Sequence, residues 1–210
     1  MPPRRLSLGA PDEATLIAEA AAIVTAGGVV AYPTDTFYGL ATDARQAGAV
    51  ARLFSVKGRS GDVAIPLIAA DLDQAEMVGE LGPLAHDLAC RFWPGPLTLV
   101  VTARPVLPAT LLAGGRTVAV RVPDHAVARQ LAATVGFPVT STSANRSGEP
   151  PPTTADDVVR TLGDSIDLVL DGGVCAGGRP STIVDTTGEV PTLVREGAVP
   201  WERIVQSTGG

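Results

Sequence analysis

From Asp12 to Ala26, Leu16, Ile17, Ala20, Ile23 and Val24 recur at helical spacing, and Gly27-Gly28 stops the run, so a helix is predicted there. Gly28 to Tyr32 follows as a short apolar strand that ends in Pro33-Thr34-Asp35-Thr36-Phe37-Tyr38-Gly39-Leu40. A polar, hydroxyl-rich turn after an apolar strand is where open sheets commonly present ligand-binding groups. Helices are predicted over Ala47 to Ser55, Leu72 to Val78 and Leu84 to Phe92, the last ended by Trp93-Pro94-Gly95-Pro96. Ala64 to Ala69 reads as a strand, and the β-branched runs Leu97 to Thr102 and Thr117 to Val122 as two more. A helix starting at Asp124 or His125 runs to Thr134, and Phe137 to Thr142 is a strand delivering Ser143-Ala144-Asn145. The remaining elements are a helix over Thr154 to Leu162, strands over Leu168 to Leu170, Ser181 to Asp185 and Thr192 to Val194, and a short helix from Trp201 to Val205.

Strands and helices alternate without an internal repeat of roughly 20 to 50 residues, and no linker separates compositionally different halves. The expectation is one α/β domain over residues 1–210, with its core over about 12–205. Several strand connections are too short for a right-handed crossover, so the sheet should be twisted and mixed, parallel and antiparallel.

Composition narrows the classes. The chain has 210 residues, 45% of them hydrophobic, which is ample for a core. No apolar run reaches the roughly 18 to 20 residues of a membrane span, and the first residues lack a signal-type apolar stretch. A protein of the cytoplasm without a membrane partner is expected, with Cys90 and Cys175 as reduced thiols. A net charge of −6 argues against a generally basic nucleic-acid surface. Of the 16 basic residues, Lys57 is the single lysine. It is a candidate for work that suits a compact ammonium better than a guanidinium, although a base-composition bias would deplete lysine equally well.

The common nucleotide signatures GxxxxGK[ST] and GxGxxG are absent, and two histidines without a CxxC pattern suggest neither a zinc site nor a histidine triad. Cations and hydroxyls remain at predicted strand ends: Thr34, Thr36, Lys57, Arg59, Thr117, Arg121, Ser141, Ser143, Asn145, Ser181, Thr182 and Arg195. Taken singly, Arg59 and Arg195 fit solvated charges, Ser143 and Asn145 fit turn or cap residues, and Thr34 fits a strand stop. Taken together, they supply what a polyanion and a small zwitterion need.

The segments Gly28 to Leu40, Lys57-Gly58-Arg59, Trp93 to Thr98, Thr117 to Pro123, Ser141 to Asn145 and Ser181 to Asp185 run in order over nearly the whole chain. Together they resemble the threonylcarbamoyl-AMP synthase family, whose core is the YrdC-type domain. The resemblance implies a concave basic cavity that binds ATP, L-threonine and bicarbonate. It implies that threonylcarbamoyl-adenylate and pyrophosphate are made there, for modification of an adenosine next to the tRNA anticodon. By position, Lys57, Arg59, Ser143 and Asn145 match the residues that hold the ATP phosphates, with Lys57 and Arg59 as the catalytic pair. Thr117 and Arg195 match further nucleotide contacts, and Thr34, Arg121, Ser141 and Ser181 match the threonine site. Magnesium (Mg2+) would be carried by ATP with no protein metal site, and the adenylate would pass to a tRNA-modifying transferase complex. Weak tRNA or double-stranded RNA binding is a further implied contact. The chain departs from the family at Pro180, Ser60 and Pro151, where glutamate, proline and serine are frequent. It resembles the short form without an extra C-terminal domain. Two other readings share the residues: a structured-RNA binding module and a carbamoyl-transfer domain.

Overall fold

The computed structural model of the chain describes residues 3–9, 12–58 and 63–208. In chain order these form β1 (Arg4–Ser7), α1 (Glu13–Thr25), β2 (Val30–Tyr32), β3 (Gly39–Ala41), α2 (Ala47–Lys57), β4 (Leu67–Ile68), α3 (Leu72–Glu76), β5 (Gly79–Glu80), α4 (Pro83–Phe92) and β6 (Leu97–Ala103). There follow β7 (Thr117–Arg121), α5 (Ala126–Val135), β8 (Val139–Thr140), β9 (Thr142–Ser143), α6 (Ala155–Leu162), β10 (Leu168–Asp171), β11 (Thr182–Asp185), β12 (Thr192–Arg195) and α7 (Trp201–Thr208).

The apolar period of α1 becomes its buried face, with Ile17, Ala20, Ala21 and Val24 packed toward α5, β2 and β10. Helix α2 ends where Gly58 takes a left-handed conformation at φ 60°, which caps the helix after Lys57. Thr154 starts α6 with its hydroxyl, which accepts the Asp157 N–H.

The strands divide between two mixed sheets. One runs β1-β10-β2-β3-β9, and the other runs β12-β11-β6-β7-β4-β8 with β5 on β6. The strand expected over Phe137 to Thr142 is therefore split. Its first part, β8, pairs with β4 in the seven-stranded sheet, and its second part, β9, pairs with β3 in the five-stranded one. Ser141 stands at the crossing, its N–H donating to the Pro66 carbonyl at 2.7 Å. At the same seam the Thr140 hydroxyl donates to Leu40 O at 3.0 Å and accepts the Thr42 N–H at 2.8 Å. Sealing these buried backbone groups lets the two sheets meet without orphaned donors.

Behind the seven-stranded sheet, Leu97, Leu99, Val101, Val118, Val120 and Val184 enter one buried apolar cluster with Leu53, Leu88 and Val158. Ile17, Val24, Tyr32, Leu131, Val139 and Leu168 form the other.

Candidate active site

Strand register decides which side chains share a surface, because successive residues alternate between faces. Leu99 pairs with Val120, so continuing that antiparallel register sets Thr98 beside Arg121. Thr98 pairs in turn with Ile183, and Ile183 with Arg195. Arg121, Thr98, Ile183 and Arg195 thus form one row across β7, β6, β11 and β12. Their neighbours Leu97, Leu99, Val120 and Val184 turn into the core with no exposure. The row lines a cavity of about 830 Å³. Its opposite wall is the Thr34 to Gly39 turn with Ser141, Thr142 and Ser143, closed at the edges by Pro150, Pro151 and Pro180.

The turn is held by its own hydroxyl chemistry. Thr34 Oγ1 donates to Phe37 O at 2.7 Å and accepts the N–H groups of Thr36 and Phe37 at 3.2 and 3.3 Å. Tyr38 anchors it from behind, donating from its hydroxyl to Gly173 O at 2.8 Å while its backbone N–H donates to Pro152 O. Burial pushes the Tyr38 phenol above its ordinary range, so it stays a neutral donor. Tyr32, also buried, is pushed up to about 12, against the smaller opposing pull of Ser141 and Arg121.

On the sheet side, Thr98 Oγ1 donates to Ser181 Oγ at 2.9 Å, and Arg195 donates to Ser181 O at 2.8 Å. Thr182 faces away and staples the next loop: its hydroxyl donates to Val199 O at 2.6 Å and accepts the N–H groups of Gly197 and Val199. Arg121 is 5% exposed, and its Nη1 lies 3.0 and 3.2 Å from the two Asp35 oxygens. Burial, and then the like charge of Arg121, hold Arg195 below the usual guanidinium value. Two cations therefore converge on one cavity.

Lys57, 5% exposed, lies beneath the Ser143 to Glu149 loop. Its ammonium donates to Ser143 O at 2.6 Å, Asn145 O at 2.9 Å and Asn145 Oδ1 at 3.3 Å, and its own carbonyl accepts the Ser147 N–H at 2.9 Å. Asn145 Nδ2 donates onward to Glu149 O. The position at the C-terminus of α2 also favours a cation.

Thr34, Arg121, Ser141, Ser143, Ser181 and Arg195 thus share the cavity wall, and Lys57 with Asn145 lies under the same loop. Thr117 is exposed and outside the cavity lining, four residues along β7 from Arg121, or about 13 Å. It stands on the face that Arg121 shares. Arg59 and Ser60 lie outside the described residues. Pro180 and Pro151 are part of the wall, and Pro180 O accepts the Ala198 N–H at 2.8 Å. Asp35 and Thr98 were assigned no role from sequence. Asp35 sits in the Thr34 to Gly39 turn, but its partner is 86 residues away, so only the fold reveals the pair.

The sequence profile of the Sua5/YciO/YrdC family, described as "Telomere recombination", matches residues 22–197. The chain is 40% identical over 191 residues to the threonylcarbamoyl-AMP synthase of Pyrococcus abyssi, covering 90% of this chain and 56% of that protein. It therefore spans little more than half the length of that relative. To the putative threonylcarbamoyl-AMP synthase of Mycobacterium tuberculosis (strain CDC 1551 / Oshkosh) it is 40% identical over 194 residues, covering 92% of this chain and 89% of the other. The crystal structure of P. abyssi Sua5 complexed with L-threonine matches with a TM-score of 0.92 at 38% identity, over 98% of this chain and 60% of that one.

Proposed function

This chain belongs to the Sua5/YciO/YrdC family, and from that premise we propose that its cavity makes threonylcarbamoyl-adenylate from L-threonine, bicarbonate and ATP. The observation that carries this reading is the row Arg121-Thr98-Ile183-Arg195, which brings two guanidinium groups to one cavity faced by Thr34, Ser141 and Ser181. The relatives named threonylcarbamoyl-AMP synthase and the threonine complex of P. abyssi Sua5 support the choice of substrates.

In this reading the threonine amine adds to carbon dioxide derived from bicarbonate, giving a carbamate and releasing a proton. A carbamate oxygen then attacks the α-phosphorus of ATP, and the bond to pyrophosphate breaks. Such a displacement asks the protein for alignment and charge stabilisation more than for covalent chemistry. Arg121 holds the threonine carboxylate, with Thr34, Ser141 and Ser181 around the amine and hydroxyl. The phosphates are assigned to Arg195, Arg59, Ser143, Asn145 and Lys57, with Lys57 acting from beneath the Ser143 to Glu149 loop. The nucleotide extends along the β7 face toward Thr117. Magnesium would be carried by the ATP phosphates. The product is proposed to pass to a tRNA-modifying transferase, with the chain acting in the cytoplasm.

The test is pyrophosphate release from ATP by the purified protein with magnesium and bicarbonate, with and without L-threonine. Threonine-dependent release with a product of threonylcarbamoyl-adenylate mass is expected. Folded, ATP-binding protein that releases none would overturn the reading.

A further inference from the structure

We infer that Asp35 is a positioning residue that fixes the Arg121 guanidinium for an α-carboxylate, an assignment that rests on the threonine reading of the cavity. Asp35 does not line the cavity; its side chain is 13% exposed and stands behind Arg121, which does line it. Arg121 sits at the end of β7, with Arg195 repelling it from the same row. A flexible, buried cation in that position would tend to swing toward solvent unless an opposite charge lay behind it. Asp35 supplies that charge through Nη1 alone, at 3.0 and 3.2 Å, and so leaves the rest of the planar fork to be oriented by one edge.

The carboxylate is itself placed with care. It is the second residue of the turn that the Thr34 hydroxyl ties to Phe37. Its Oδ1 is buried without a hydrogen bond, although it lies 3.0 Å from Nη1. That contact is a charge contact outside hydrogen-bond alignment, and Oδ2 takes the aligned N–H. Beyond Asp35 stands His125, whose Nδ1 is also buried without a partner. Burial holds that imidazole below its ordinary value, against the opposing pull of Asp35, so near neutral pH it does not compete with Arg121 for the carboxylate.

The experiment is a double-mutant cycle in pyrophosphate release, with KM measured separately for L-threonine and ATP. Asp35→Asn keeps the shape and removes the charge. It should raise the KM for threonine about 10- to 100-fold, the worth of one charge-assisted hydrogen bond, while the KM for ATP stays within threefold. In an Arg121→Lys background the same change should add less than threefold, because Asp35 acts through the guanidinium. Isothermal titration of threonine into each variant, after its melting curve has been recorded, separates lost binding from lost fold. A variant that fails to fold is replaced by Asp35→Glu, which retains the charge and should keep the threonine KM within about tenfold. An unchanged threonine KM in Asp35→Asn, equal losses for both substrates, or additive effects in the cycle would overturn the assignment. Each of those presupposes an active wild type; a wild type without threonine-dependent release removes the parent reading and this inference with it.

Discussion

On the side of the five-stranded sheet, Arg4 pairs with Glu19, Arg5 with Asp156 and Asp171, Arg45 with Asp43, and Arg52 with Asp167. Along the seven-stranded sheet, Arg104 and Arg195 reach the carbonyls of Glu76 and Ser181. Those two and exposed Arg116 meet no carboxylate among the described residues. A carbonyl satisfies the N–H of a guanidinium without cancelling its charge. The first group of arginines is consumed in holding the fold, whereas Arg104, Arg116 and Arg195 keep their charge uncancelled by a carboxylate among the described residues, and Arg121 beside them is the exception, paired with Asp35.

Lys57 lies on the boundary of this comparison, buried like the first group but satisfied by oxygens of Ser143 and Asn145 like the second. Lys57→Ala should lower kcat/KM in threonine-dependent pyrophosphate release by two to three powers of ten, about 3 to 4 kcal/mol. Activity within threefold of wild type would move Lys57 to the purely structural group. Gly197→Ala breaks the cavity side mechanically. A Cβ there would meet Pro180 O at 2.1 Å and Ser181 backbone atoms at 2.6 and 2.7 Å, so a loss of about 1 to 3 kcal/mol is expected in urea unfolding. An unshifted urea midpoint would show that the loop beside Ser181 yields freely.

Acid should act on the opposite side first. Burial alone would raise the carboxyls of Asp43, Asp167 and Asp171. Hydrogen bonds from Arg45, from Arg52 and Val29, and from Gly173 and Arg5 respectively outweigh it and hold them below the ordinary value. With depressed folded values, their contribution is fully present above the unfolded value of about 4 and is lost as pH falls through the folded ones. Hydrogen exchange measured as pH falls below about 4 should open β1 and β10 before β6 and β7; the reverse order would contradict the assignment of paired charges. The smallest effect is Arg5→Ala. Its side chain is 42% exposed, so the change should cost about 0.2 to 1 kcal/mol and leave pyrophosphate release within twofold. A larger loss of activity would erase the division between the two sides.

How far the fold was legible depended on how local its causes are. Helices α1, α2 and α5 each carry an apolar period and a glycine or turn at the end, and appear within one or two residues of expectation. Strand β1 was missed because Arg4-Arg5-Leu6-Ser7 has no alternating apolar pattern; its strand character comes from pairing with β10, more than 160 residues later. The two-residue strand β5 carries too few side chains to show a period, and of the strand expected over Ala64 to Ala69 only Leu67 and Ile68 pair, as β4. The split of Phe137 to Thr142 was invisible because both halves read as extended backbone, and only their partners differ. At the site, the cavity gathers most of the residues singled out by sequence, since they stand at strand ends that the sheets bring together. Thr117 lies beyond the wall because strand length, and not motif order, sets its distance from Arg121.

The crossing at Ser141 limits how this segment can vary. Leu67 and Ile68 fix the register of β8, while Gly39 and Leu40 fix that of β9. With both ends of a five-residue stretch indexed against different neighbours, a single-residue insertion or deletion has nowhere to be absorbed. It would reverse the facing of one half or the other. Length between Val139 and Ser143 should therefore be far less tolerant of change than residue identity, and grafting this segment between homologous scaffolds would require moving β3 and β4 with it.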